Sequence, residues 1–177
     1  MIDLFQQEIF VFDVESIGIH GDSYAVAGAL FDKGGVREGT EFLYAIDQSM
    51  ASGRLEDHRW VRDNIPAFAP THTTGFAMRQ AFIRQLHEHP SALIAGECVW
   101  PVEANFLSLC AKDDPVVDGP YPLIDICSIM LAAGMDPMKN YNRLPNELPK
   151  HNPLADVRQS GRLLFEALRK LHEIKYQ

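Results

Sequence analysis

The apolar run Ile9-Phe10-Val11-Phe12 passes directly into Asp13-Val14-Glu15-Ser16, and this junction constrains the fold more than any other stretch. A short unbroken apolar run reads as a buried strand. Alternation along that strand sends Asp13 and Glu15 to one face and Phe12 and Val14 to the other. Two carboxylates side by side repel unless a cation lies between them. Paired acids at the carboxyl end of a buried strand are therefore a candidate site for a hard divalent ion.

The rest of the chain supplies the frame for such a strand. Residues 23–31 read as a second strand, followed by a Lys33-Gly34-Gly35 turn, and residues 40–46 as a third, which predicts an antiparallel meander. The period then changes. Residues 58–64 and 74–87 carry helical spacing, and Ala92-Leu93-Ile94-Ala95 is a short strand. Pro101 suits the first turn of a helix with Val102, Phe106 and Leu109 on its buried side. Residues 123–126 form a last strand leading into a helix over 127–133. The final helix is the clearest: Asn152 caps it, Pro153 opens it, and Val157, Gly161, Leu164, Leu168 and Leu171 make its inner stripe. Asp113, Asp114 and Asp118 lie among Pro and Gly and read as a loop. A meander followed by helix–strand units implies a mixed sheet covered by helices, and residues 1–177 are expected to form one domain.

Composition narrows the function. The net charge is −8, which argues against a broad basic surface for duplex nucleic acid. It leaves room for a single strand held by metal and a few contacts. No apolar run is long enough to span a bilayer and the N-terminus does not read as a signal peptide, so the expected compartment is the cytoplasm. The three cysteines, Cys98, Cys110 and Cys127, are odd in number and widely spaced. That pattern argues against a disulfide framework and against a paired-cysteine zinc site. Cys110 and Cys127 read as core residues.

More acids fall at the ends of elements. Glu97 ends the fourth strand, Glu103 lies in the first turn of the next helix, and Asp156 lies in the first turn of the last helix with His151 just before it. Sites on open α/β sheets collect at such strand ends. These groups are expected to converge on one rim, where oxygen ligands suit Mg²⁺ or Mn²⁺.

Asp13-Val14-Glu15-Ser16 resembles the first motif of the DEDDh 3′–5′ exonucleases, relatives of RNase T, oligoribonuclease and the proofreading exonucleases. His151, five residues before Asp156, resembles their third motif. The segment from Ala95 to Leu107 occupies the place of the second, where Glu103, three before Phe106, stands for the family's aspartate and Glu97 is an alternative. The resemblance implies an α/β, RNase H-like fold with a mixed five-stranded sheet, a three-stranded antiparallel meander plus two parallel strands. It implies a two-ion site with Asp13 bridging, Glu15 and Asp156 on one ion and Glu103 on the other, and His151 as general base. It also places the terminal nucleotide along Ser16, Ile17 and Gly18, with Ile17 as an apolar wedge and Trp100 as a base-stacking surface, and it puts Arg143, Lys139 and Lys150 near phosphates. The implied activity is removal of nucleoside 5′-monophosphates from the 3′ end of single-stranded nucleic acid, RNA rather than DNA, by a chain that is a candidate homodimer. The alternative is a non-catalytic relative that keeps the fold for binding or interaction, its site weakened by Glu103.

Overall fold

The computed structural model describes residues 3–114 and 121–175. The element order is β1 (Ile9–Ser16), β2 (Ser23–Asp32), β3 (Gly35–Val36), β4 (Phe42–Ala45), α1 (Leu55–Asn64), α2 (Gly75–Glu88), β5 (Leu93–Gly96), α3 (Val102–Asp113), β6 (Leu123–Asp125), α4 (Ile126–Ala132) and α5 (Pro153–Lys175). The strands form one mixed sheet in the order β3-β2-β1-β5-β6, with β4 also paired to β2. β1 runs antiparallel to β2 and parallel to β5, and β6 runs parallel to β5. The sheet has six strands where five were expected. The extra one is a two-residue pairing, Phe31↔Val36 and Asp32↔Gly35, just after the tight turn. β3 and β4 lie end to end along the outer edge of β2.

β1 is central because both its faces are covered. Phe10, Phe12 and Val14 pack with Phe82 of α2 and Phe106 of α3 in one cluster. Ile9 and Val11 pack with Val157 and Leu164 of α5 in the other. The ring of Phe82 stands 5.4 Å from Phe12 and 5.1 Å from Phe106, centroid to centroid. Continuing the alternation, Asp13 and Glu15 leave β1 on the α5 side. The same two-residue period that builds the core therefore aims the acids at the last helix.

α5 begins as its sequence requires. The Asn152 side-chain oxygen accepts hydrogen bonds from the backbone N–H groups of Leu154 and Ala155 at 3.1 and 3.2 Å. These satisfy donors that the first helical turn leaves without partners. α3 departs from expectation: its buried side is Glu103, Phe106, Leu107 and Cys110, so the stripe is rotated and carries a carboxylate inward. Asp113 ends α3 and pairs with Arg79 at 2.5 Å instead of lying in a loop; Asp118 lies outside the described residues. The local propensity of Asp and Pro was overridden there by an ion pair to α2.

Gly161 marks the closest approach of α5 to the sheet. A Cβ there would lie 2.3 Å from ring carbons of Phe31, itself buried. Gly161→Ala is therefore expected to destabilise the fold by about 1–3 kcal/mol through overpacking. A denaturant midpoint shifted down at constant slope is the measurement; an unchanged midpoint would show that the helix can lift away freely.

Candidate metal and nucleic-acid site

The site lies where β1 and β5 end and α3 and α5 begin. Asp13 and Glu15 come from the last turn-out of β1, whose register with β2 shifts between Glu15 and Ser16. Asp156 lies in the first turn of α5. Ligand atoms of Glu15, His151 and Asp156 all lie within 4.8 Å of one another. Glu103 enters from the first turn of α3 and is 6% exposed. Its carboxylate accepts hydrogen bonds from its own backbone N–H and from that of Val14. The longer arm of Glu, where the motif calls for Asp, thus reaches across to the β1 backbone.

The electrostatics agree with the geometry. Burial, then the charges of Glu15, Glu103, Asp156 and Glu97, hold the Asp13 carboxyl well above its usual range. Burial, then Asp156 and Glu103, push Glu15 up to about 8. Burial and, more weakly, Glu97 push Glu103 up to about 7 against those two backbone donors. Burial also raises Asp156, opposed by Arg143 and His151. Acids that raise one another through shared space form a set whose ionised state needs added positive charge. All-oxygen donors of this kind, with one imidazole at the edge, fit Mg²⁺ or Mn²⁺.

Part of that charge is built in. Arg143 Nη1 donates to Asp156 Oδ1 at 2.5 Å and to the Glu147 carbonyl at 2.9 Å, and both charged side chains of the pair are 14% exposed. The segment bearing Arg143 is stapled to α5. Glu147 accepts from Arg162 at 2.6 and 2.8 Å, Gln159 donates to the Tyr141 carbonyl at 3.3 Å, and Arg158 donates to the Asn146 carbonyl at 2.9 Å. The sequence placed Arg143 near phosphates; its partner in the structure is Asp156. Lys139, Lys150 and Arg143 line one polar hollow together with Glu97.

His151 is exposed and sits at φ 60°. A left-handed backbone at a non-glycine residue is uncommon and is tolerated by His better than by most. The Trp60 ring of α1 meets the imidazole edge-to-face at 5.8 Å. No spacing in the sequence linked Trp60 to His151, because α1 reaches the site through the tertiary fold alone. Glu97 accepts from Ser160 Oγ of α5 and contributes to the raised Asp13 and Glu103.

One expected substrate contact changes. Ile17 is 0% exposed within the first core cluster, so its side chain is no wedge; its N–H donates to the Asp22 carbonyl at 3.0 Å. The chain turns inward there because Ser16 Oγ donates to the Gly18 carbonyl at 2.7 Å and Gly18 takes φ 66°. Ile19, 61% exposed, is the apolar side chain on that surface. Trp100 is 80% exposed, a free aromatic face beside the β5–α3 connection.

The architecture has relatives among solved structures. Over 94% of its length this chain superposes on E. coli exonuclease I in complex with a dA16 oligonucleotide, with a TM-score of 0.65 at 16% identity. The fold is RNase H-like. A zinc-ion-bound form of the E. coli exonuclease I–ssDNA complex matches 96% of the chain with a TM-score of 0.65 at 15% identity. A moderately thermophilic exonuclease I from Methylocaldum szegediense matches 96% with a TM-score of 0.59 at 15% identity. In each case the RNase H-like chain described here spans only 41–42% of the neighbour's length. No family model and no curated protein matches the sequence. Among the described residues, no helix is long and apolar enough to cross a membrane.

Proposed function

We propose that this chain is a metal-dependent 3′–5′ exonuclease acting on single-stranded nucleic acid and releasing nucleoside 5′-monophosphates. The observation that carries the reading is the approach of Glu15, His151 and Asp156 ligand atoms to within 4.8 Å of one another, with Asp13 and Glu103 near enough that the acids raise one another's pKa. Asp13, Glu15, Glu103 and Asp156 would hold two divalent ions. Bound ions supply charge stabilisation at the attacking and leaving oxygens of a phosphodiester. His151, exposed and within 4.8 Å of the ligand atoms of Glu15 and Asp156, takes the proton from the attacking water as general base. Arg143, held beside Asp156, neutralises charge that gathers there. Trp100 offers its face to a base of the incoming strand.

The exonuclease I neighbours were solved with deoxyribose oligonucleotides, which supports a single-stranded substrate, whereas the motif resemblance points to RNA. End-labelled single-stranded RNA and DNA, incubated with Mn²⁺, Mg²⁺ or chelator, set the two against each other. Metal-dependent ladders shortening from the 3′ end support the reading. Binding without cleavage under every condition overturns it in favour of a non-catalytic binding domain.

His151→Ala is expected to lower kcat by ~100–10,000-fold, the usual worth of a positioned general base. Trp60→Ala should lower it by ~2–10-fold, since an edge-to-face ring contact contributes about 0.5–1.5 kcal/mol to holding the imidazole. Equal losses in both variants would assign His151 a structural part only. Glu103→Asp is expected to preserve metal-dependent cleavage. Complete loss in a folded Glu103→Asp protein would show that the site is shaped around the longer arm, which the Val14 N–H contact fixes in place.

A further inference from the structure

The parallel register of β5 and β6 ends at Gly96↔Asp125. Two residues beyond that pair, the chains carry Cys98 and Cys127, so the strands deliver two thiols side by side from positions 29 apart in sequence. Their sulfur atoms lie 2.7 Å apart, close for unbonded sulfurs. A disulfide needs the sulfurs about 2.05 Å apart, so the bond closes with a shift of well under ~1 Å from the observed contact.

We propose that Cys98 and Cys127 are a dithiol–disulfide pair that closes under a mild two-electron oxidant and fastens the β5–α3 loop to the first turn of α4. The inference is independent of the nuclease reading. Cys98 is exposed and Cys127 is buried, so the oxidant meets Cys98 first. With a peroxide, the Cys98 sulfur attacks one oxygen, the O–O bond breaks, and Cys98 becomes a sulfenic acid as one water leaves. The Cys127 sulfur then attacks the Cys98 sulfur, the S–O bond breaks, and the departing hydroxyl takes the Cys127 proton as a second water. Two thiols and one hydrogen peroxide give one disulfide and two waters.

The link has a defined mechanical consequence. Cys98 takes φ 47°, between Glu97, which accepts from Ser160, and Val99. The Val99 N–H donates to Asp125 Oδ1 at 3.4 Å, and its carbonyl accepts from Ala104 N–H at 2.9 Å. A bond at Cys98 therefore fixes the approach to Glu103 and the footing of the exposed Trp100. The loop takes this geometry with both thiols free, and oxidation locks it there.

The full chain, in chelator, is treated with hydrogen peroxide or with oxidised glutathione and compared by intact mass, non-reducing peptide mapping and thermal melting. The expected product is a monomer lighter by two hydrogens, formed equally well by Cys110→Ala and not at all by Cys98→Ser or Cys127→Ala. Its melting temperature should rise by several degrees, as closure of a long loop predicts, and backbone amide exchange over residues 97–100 should slow. Cys98→Ser changes an exposed side chain and retains the fold, which keeps the comparison valid if Cys127→Ala does not. Oxygen addition without loss of two hydrogens, a disulfide that survives Cys98→Ser, or a disulfide-linked dimer would each overturn the proposal.

Discussion

Asp13→Asn is expected to abolish metal-dependent cleavage and, at the same time, to raise the melting temperature of the metal-free protein. The two effects share one cause. Asp13 sits at the centre of the cluster, with Glu15, Glu103, Asp156 and Glu97 all pushing its pKa up. Removing its charge takes away the ligand proposed to bridge the ions and should cost ~1,000-fold or more in rate, several kcal/mol of transition-state stabilisation. The same change relieves like-charge crowding, worth about 1–2 kcal/mol, or ~2–8 °C in a chain of this size. Asp156→Asn provides the contrast. It should also end cleavage, but Arg143 and His151 oppose the rise in the Asp156 pKa, so any gain in stability is expected to be smaller than for Asp13→Asn. Melts of the two variants in chelator separate the roles. A lower melting temperature for Asp13→Asn would mean that the Asp13 carboxylate stabilises the fold and is not held in a crowded anionic site.

The second large effect is in pH. In chelator, the protein should lose stability as pH rises from about 4.5 to about 8, the ordinary and folded-state values for Glu15. The folded state keeps a proton on Glu15 that the unfolded chain releases across that window. The native form therefore binds more protons, and the free energy of unfolding falls with rising pH. Asp13 and Glu103, raised in the same direction, add to the slope. Below the window both states are protonated and the dependence flattens. Mn²⁺ or Mg²⁺ should reverse the trend, because ions bind the ionised native cluster and not the unfolded chain. At about 100 times the dissociation constant, one ion contributes ~2.7 kcal/mol. Thermal melts from pH 5 to 8.5, with chelator and with Mn²⁺, should diverge as pH rises. Parallel curves would show that the acids are not driven together.

Much of this site is legible in the sequence. The period of two along β1 put Asp13 and Glu15 on one face, and the Asn152-Pro153 start of α5 put Asp156 in a first helical turn with His151 ahead of it. Such features are local. They depend on side-chain alternation, on capping donors and on proline's fixed φ, all of which act within a few residues. Local rules fall short where a neighbour distant in sequence decides the outcome. Ile17 looked available beside the acids, yet the core between β1 and α1 took its side chain. α3 turned Glu103 and Cys110 inward where Val102 and Leu109 were expected, because helix rotation is set by what it packs against. Asp113 joined α3 through Arg79.

The sequence by itself determined which residues carry charge at element ends, and hence that an acidic rim would gather on one edge of a mixed sheet. Only the tertiary structure decided how that rim is built: Glu103 reaching the Val14 N–H, Arg143 stapled over Asp156, Trp60 set against His151 and Cys98 laid beside Cys127. Each of these contacts joins segments whose relative register depends on the packing of the whole sheet. No short-range rule fixes that register, since it follows from which faces bury the most apolar surface together.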